Sequence, residues 1–586
     1  MKKIKTLSIL LFSLLFLASC SLLSDDTPEN TSSDLPDNAS TIDVPEIDDE
    51  DMTNSVTEVN AVITFSTSEI TSSDASISIE DSVITITSAG TYELTGTSDQ
   101  ATIYVDSSDN DSVIFVLNNV SLSSATGPIF YINNADKVII NVKESTVNTL
   151  TDLSLEAYEK DSIIYSKDDL TINGTGSLTI DAGLQKGIKV NDDLVIYGTT
   201  LNITSSGHSI KVNNKITISE ATITINSGGD GIQSDNEDDN TESLIYLESG
   251  TFNITSYGDG ISSSYDLTIF NGTYNIVSGY QNSNVSDTSA KGLKATNNLY
   301  IVDGTIDIDS KDDGMHSDDG LIIFNGTLTI SSDDDGIHAN NSLSIQGGTI
   351  TITDSYEGIE GKYITISGGY INVFADDDGI NGSDPDITGS TQAPGTESES
   401  TSTAVIEISG GIIIISSEDD SIDSNGEITI SGGTIVINGP TSGTQSAIDY
   451  DLTWAQTGGT IVAVAGYGNG TKSPTEASST QTTLVYNTLS TRSSGTLISL
   501  LDEDGQIVVA FRSAKSFQAV IISSPELDHT TTYTLAINGT ITGELENGYY
   551  ASGTLTNYQT ISTFILDDVI NTFNVSTSSS TTPPRR

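Results

Sequence analysis

Cysteine is all but missing from this chain. Cys20 is the single example in 586 residues, so no disulfide can form within one copy. With no cysteine beyond it, and with His316 and His338 standing apart from any Cys/His cluster, a zinc centre is not expected. Basic side chains are also scarce: 21 Lys and Arg face 81 Asp and Glu, for a formal charge of -60. A surface of that sign repels nucleic acid and anionic headgroups and attracts divalent cations. An acidic polymer could join it only across a bridging cation. Part of the charge simply keeps an exported protein soluble. Long apolar runs are limited to one, Leu7 to Leu17, too short to cross a bilayer as a helix. Elsewhere nothing recurs at helical spacing, and the Leu-x-x-Leu-x-Leu signature of a leucine-rich horseshoe is missing.

The one apolar run follows Met1-Lys2-Lys3-Ile4-Lys5 and ends in Leu17-Ala18-Ser19-Cys20. A basic start, an apolar stretch and a small-residue ending mark an export signal. The ending also matches the bacterial lipobox, so residues 1–20 are expected to be a lipoprotein signal peptide, with Cys20 diacylated as the mature N-terminus. The exported chain would then be lipid-anchored at the cell surface, meeting the membrane only through that acyl group. Residues 21–60 are rich in Ser, Thr, Asp, Glu and Pro, including Asp48-Asp49-Glu50-Asp51. They are expected to form a disordered acidic tether, because they bury too little to offset ordering. Residues 575–586 read as a second loose end.

What is present is repetition. Ile188, Ile210, Ile232, Ile261, Leu293, Met315, Ile337, Ile359, Ile380, Ile422 and Ile448 each follow a turn, at intervals of 22, 22, 29, 32, 22, 22, 22, 21, 42 and 26 residues. The base period is 22, lengthened by insertions. Within one period run Gly326-Thr-Leu-Thr-Ile330, then Ser331 to Ile337, then His338 to Gly348: three alternating stretches divided by Gly, Asn or Asp turns. The pattern predicts an all-β protein, a right-handed parallel β-helix of about 22 residues per coil, each strand pairing with its copy in the next coil. Eleven coils at strand spacing would make a rod about 50 Å long. Residues 61–160 carry the same grammar irregularly, as the first coils or a cap, and residues 161–466 carry it regularly. Residues 484–574 read as a small C-terminal β module, with a hairpin turn at Asp502-Glu-Asp-Gly505.

A fixed period stacks equal offsets above one another. Two residues before the anchor the column reads Lys186, His208, Asp230, Asp259, Lys291, Asp313, Asp335, Glu357, Asp378, Asp420 and Ser446. One further back it adds Asp312, Asp334, Asp377 and Asp419. Carboxylates about 4.8 Å apart repel by roughly 1 to 3 kcal/mol per neighbour, so several in a row call for a cation. Calcium takes six to eight oxygens and suits Asp pairs beside Gly314, Gly336 and Gly379. Solvated turns are the plainer alternative, since Asp and Gly favour corners regardless. Asp230, Asp235, Asp238 and Asp239 around one long turn make a second candidate site.

The ordered set Ile86-Thr-Ser-Ala-Gly-Thr-Tyr-Glu-Leu-Thr-Gly96, Val116-Leu-Asn-Asn-Val120, Asp169-Leu-Thr-Ile-Asn-Gly-Thr-Gly-Ser-Leu178, Gly228-Gly-Asp-Gly-Ile-Gln-Ser234 and Ser523-Ser-Pro-Glu-Leu527 resembles bacterial β-helix carbohydrate-binding proteins. Those proteins bind cellulose and polygalacturonate, carry calcium and share their fold with calcium-dependent pectate lyases. The resemblance spans roughly Ile63 to Leu527. It implies calcium in the acidic turns and glycan along one face. The inserts at Gly279–Ala290 and Ser383–Thr403 depart from it.

Three functions remain open: a noncatalytic surface binder of polysaccharide, a calcium-dependent lyase, and a stalk or adhesin. For a binder, Tyr197, Phe270 and Phe324, which share an offset of nine from their anchors, join Tyr257, Tyr280 and the sole Trp454 as stacking candidates. For a lyase, Lys186, Lys189 and Lys211, or Lys291, Lys294 and Lys311, would supply the base, although lysines in an acidic column also serve simply to offset charge. The chain is expected to act as a monomer.

Overall fold

The protein is seen here as a computed structural model that describes residues 42, 45–53, 56, 58–281, 289–384, 403–466, 472–545, 548–550 and 552–574. Cys20, the signal segment and residues 575–586 lie outside the described residues.

Alternation of β-branched apolar and small polar residues favours strands over helices, and the described residues form 51 strands with no α-helix. Each period supplies three. Leu293–Ala295, Asn298–Ile301 and Thr305–Ser310 make one rung, and Met315–Ser317, Gly320–Ile323 and Thr327–Ser332 the next. Within these rungs each strand pairs in parallel with its copy one period on: Leu293 with Met315, Leu299 with Leu321, Ile306 with Leu328. The anchor ladder runs unbroken through Ile188, Ile210, Ile232, Ile261, Leu293, Met315, Ile337, Ile359, Ile380 and Ile422. All of these side chains are fully buried, each worth about 2 to 3 kcal/mol of transfer free energy. The molecule is therefore an all-β protein built on a large, mainly parallel sheet of in-register ladders.

At the N-terminal end the ladder is closed by antiparallel pieces. Ile70–Ser72 turns back on Ala61–Phe65, and Ser78–Glu80 on Val83–Ile86. At the other end Thr453–Ala465 pairs antiparallel with Phe517–Ser523, which pairs in turn with Thr483–Arg492. A five-stranded antiparallel sheet that includes Leu497–Leu501 and Ile507–Arg512 stands beside it, its hairpin closed by Asp502 accepting from the Asp504 and Gln506 amides. Val485 and Ile521 join the core of the ladder at its open end, while Val436, Val462 and Val464, facing away from that core, share a second apolar cluster with Leu484, Ile522 and Tyr533, so the C-terminal strands cover the end and pack on the outer face of the last rungs.

Part of the expected tether is built into the fold. Asp51 is 2% exposed. Its carboxylate meets Lys137 Nζ at 3.0 Å and accepts from Thr171 Oγ1 at 2.6 Å, while its carbonyl accepts from Asn173 Nδ2 at 2.9 Å. Asn141 Nδ2 donates to the Thr53 carbonyl, and Asp48 makes a second pair with Lys137 at 3.3 Å. Ile42 packs on a cluster of Phe270, Val302 and Phe324. The compositional reading of residues 21–60 thus needs correcting for this stretch, where Ile42, Pro45 and Ile47 are half-buried while Glu46 between the last two is exposed.

Candidate functional site

The acidic corner exists because glycine lets successive rungs approach. A Cβ on Gly314 would sit 2.6 Å from the Gly336 carbonyl oxygen and 2.4 Å from Ile330 Cγ2. Close approach, rather than a left-handed backbone, fixes glycine there, since Gly314, Gly336 and Gly379 lack positive φ. With the corner held tight, the residue after each anchor joins the one two before it on the same face. In register this second column reads Lys189, Lys211, Gln233, Ser262, Lys294, His316, His338, Glu360, Asn381 and Asp423. It is as rich in ligating atoms as the first, and offset arithmetic applied one residue after the anchor would have found it.

The two columns together divide the face. From Lys186 to His338 the protein brings its own cations. Lys211 meets Asp235 at 3.0 Å, and Lys294 Nζ lies 3.7 Å from the buried Asp259. Lys291 bridges Asp312 at 2.7 Å and Asp313 at 2.6 Å, and His316 Nδ1 reaches Asp313 at 2.7 Å. Burial alone would raise Asp313, but the His316 hydrogen bond and the charges of Lys291 and the two histidines outweigh it and hold the carboxyl well below its usual range. His338 stands 3.1 Å from Asp335, 3.6 Å from Glu360 and 3.7 Å from Asp313. Its burial disfavours charge, yet Asp335, Glu360 and Asp313 prevail and keep it protonated to about 9. Asp334, the outer member of this set, is raised by burial and by Asp313 and Asp312.

The second candidate set does not assemble. Asp235 turns to Lys211 and Ser264, Asp239 caps its own turn at the Thr241 amide, and Asp230 faces His208 and Asp259. Burial and then Asp259 push Asp230 up to about 7.

Beyond His338 the cations run out. Among the described residues no Lys, Arg or His pairs with Glu357, Asp377, Asp378, Asp419, Asp420 or Asp423. Asp377, Asp378 and Asp419 bring oxygens within 4.8 Å of one another, as do Asp420, Asp423 and Asp449. Burial, then the charges of Asp423, Asp420 and Glu357, drive Asp378 up to about 9. Burial and Glu360 drive Glu357 to about 8, and burial leads the rise of Asp420 and Asp423 to about 6. Between Glu360 and Asp423 in register lies Asn381, 8% exposed, donating through Nδ2 to Glu357 at 2.8 Å. Its carbonyl Oδ1 is buried and has no hydrogen-bond partner. A buried acceptor without a donor costs about 1 to 3 kcal/mol. The donor set is all oxygen, anionic and crowded, which fits calcium or another hard cation and not zinc.

The stacking candidates fare unevenly. Phe270 and Phe324 are each 7% exposed, beneath Ile42 and beside Tyr246, Tyr300 and Ile322, so they are not open platforms. Trp454 is fully buried, and Tyr197 is half-buried with Glu220 beside its hydroxyl. Tyr257 is open, at 37% exposure, as is Tyr280. Sequence reasoning missed Tyr356, which is 51% exposed, lies between the rungs of Asp334 and Asp377 and hydrogen-bonds Asp377.

A family profile described as carbohydrate-binding domain-containing protein matches residues 80–336 and 325–485. A curated carbohydrate-binding domain-containing protein of Acetivibrio thermocellus is 31% identical over 153 residues, covering 25% of this chain and 54% of the relative. The chain thus spans about half the length of that relative. A solved polysaccharide lyase-like protein from C. thermocellum, a gadolinium derivative, is similar over 43% of this chain and 95% of its own, at 26% identity and a TM-score of 0.35.

Proposed function

This chain belongs to the carbohydrate-binding domain-containing proteins, and from that premise we propose that it is an exported, lipid-anchored binder of polysaccharide whose ladders wind as a right-handed parallel β-helix loaded with calcium. The observation that carries the calcium reading is Asn381, a buried carbonyl left without a donor among six carboxylates that no described cation pairs. Glu357, Asp378, Asn381, Asp420 and Asp423 would hold the ion, with Asp377 and Asp419 on its outer side. Bound there, calcium would offset the column charge and lend open coordination to glycan oxygens. Tyr356 stands at the rim, where a sugar ring could rest on its face. Cellulose and polygalacturonate are the glycans the reading favours, the second because an acidic polymer needs a cation between it and this surface.

One observation speaks for a lyase instead: burial, with Lys211 and Lys186 nearby, lowers Lys189 to about 8, within reach of a general base. Yet Lys189 lies seven rungs from Glu360, or about 34 Å at strand spacing. A glycan carboxylate held at the acidic end is out of its reach, so binding without cleavage is the better reading.

The test is retention of the full chain on amorphous cellulose and on polygalacturonate gel, with calcium and with chelator, alongside ultraviolet absorbance of unsaturated products. Calcium-dependent retention without absorbance is expected. Retention indifferent to chelator, with no calcium in elemental analysis, would refute the metal reading, and growing absorbance would restore the lyase. Lipidation is checked separately by radiolabelled palmitate, which should mark the wild type and not Cys20→Ser.

A further inference from the structure

We propose that Ile42 and residues 45–53 form a displaceable strap over the outer aromatic face, and that this strap decides whether glycan reaches Phe270 and Phe324; the proposal rests on the polysaccharide-binding reading.

The strap has a lock and a cover. The lock is Asp51, whose carboxylate is buried against Lys137 and Thr171 and whose carbonyl takes the Asn173 amide. Asn141 donates to both Thr53 and Asn173, so two adjacent rungs share the catch. The cover is Ile42, packed on Phe270, Val302, Phe324 and their neighbours Tyr246, Tyr300 and Ile322. Tyr246 and Phe270 stack with centroids 6.5 Å apart. Four aromatic rings and two aliphatic side chains on one outward face form the kind of apolar patch that monomers rarely leave bare.

The reach agrees. Asn173 and Val302 are separated by five rungs, about 24 Å of ladder. Asp48 to Thr53 form a hydrogen-bonded turn, and the six residues from Ile42 to Asp48 can reach about 20 Å, enough with the turn to bridge that distance. The two ends differ in character: an apolar contact at Ile42 and a carboxylate seated on a lysine at Asp51. The strap is not part of the buried ladder: Asp51 is held by side chains on the outer surface, so the rungs beneath stay paired when it leaves. Its occupancy sets the apparent affinity of the face, since a site open one-tenth of the time binds tenfold more weakly.

The experiment compares the full chain with Asp51→Ala and, as an independent release, Ile42→Asp. Amide hydrogen exchange over residues 45–53 reports strap release, and retention on amorphous cellulose and polygalacturonate gel reports binding. Faster exchange together with a roughly tenfold gain in apparent affinity, reversed when Phe324→Ser is added, is the expected result. Faster exchange with unchanged affinity would overturn the proposal, because the strap would then cover no glycan contact. Unchanged exchange in both variants would overturn it by denying the lock. If exchange quickens but no form of the protein is retained on either glycan, the polysaccharide-binding reading itself falls, and this one with it.

Discussion

Removing the charge at Asp378 should stabilise the metal-free protein and abolish its response to calcium. The reasoning starts from two carboxyls. Burial and neighbouring charges raise Asp378 to about 9 and Glu357 to about 8. Both then hold protons in the folded state that the unfolded chain releases at ordinary carboxylate values near 4. Between those limits the folded state binds more protons than the unfolded, so unfolding free energy falls as pH rises. Stability from this source is undiminished below about pH 4 and is lost progressively up to about pH 9. At roughly 1.4 kcal/mol per unit, keeping Glu357 alone ionised at pH 8 costs on the order of 5 kcal/mol. Solvent relaxation and coupling to Asp378 keep the shares from adding. Calcium binds the ionised form, and a concentration one hundred times its Kd returns about 2.7 kcal/mol. Melting curves should therefore show metal-free protein less stable at pH 8.5 than at pH 5.5, calcium restoring about half of the loss at pH 8.5 and little at pH 5.5. In Asp378→Asn the pH dependence should shrink and the calcium effect vanish. General repulsion at a formal charge of -60 also grows with pH, so the decisive quantity is the difference between wild type and variant. Equal slopes in the two would refute the reasoning.

Asn381→Leu should weaken calcium binding in titration calorimetry by about tenfold, since it removes a carbonyl ligand, while changing metal-free melting little, because the loss of the unpaired Oδ1 is offset by the loss of the Nδ2 donor to Glu357; undiminished affinity would remove Asn381 from the site. Lys291→Met should cost about 1.5 to 3 kcal/mol at neutral pH, because Asp312 loses its ion pair and Asp313 keeps only His316 and His338. Because Asp313 is held well below its usual range, the stability it confers is present above about pH 4 and lost as pH falls below that value, so in denaturant melts the gap between variant and wild type should start to narrow only below about pH 4. Gly336→Ala should cost about 1 to 3 kcal/mol, since the added Cβ would meet the Gly358 carbonyl at 2.7 Å; a neutral substitution in denaturant titration would show that the corner can open.

The ladder was legible because repetition converts a weak local pattern into a strong one. Ile337 alone says little, but ten others at the same phase can share one interior column only if the rungs pair in register. The acidic column was legible for the same reason. What periodicity leaves open is which offsets meet across a corner. His316, His338, Glu360, Asn381 and Asp423 occupy a second column whose adjacency to the first depends on the glycine turn. The partners of Lys291 and Lys294 were open too, because charge offset and base catalysis ask for the same residue. The strap escaped composition altogether. Ile42, Pro45 and Ile47 are too few to suggest burial in a polar segment, and what seats them is a lock formed with Lys137, Thr171 and Asn173, some ninety to one hundred and twenty residues away.

Repetition also explains why the face is divided. In a globular protein a buried carboxylate is a local cost, but in a ladder each copy adds another like charge one strand spacing away. Two remedies exist. One is to interleave cations, as Lys211, Lys291, Lys294, His316 and His338 do. That remedy neutralises the column but spends the carboxylates on internal pairs, leaving few oxygens for anything outside. The other is to leave the charges uncompensated, as from Glu357 to Asp423, where the raised carboxyls measure how much the fold tolerates for an arrangement that does nothing for its own stability. Three further lysines stand near that end, yet each is drawn to another carboxylate, Lys362 to Asp384, Lys472 to Asp449 and Lys515 to Glu418, and Asn381 Oδ1 is left without a donor. The centre is therefore the part of the face where we propose that a bound cation accounts for the charge pattern.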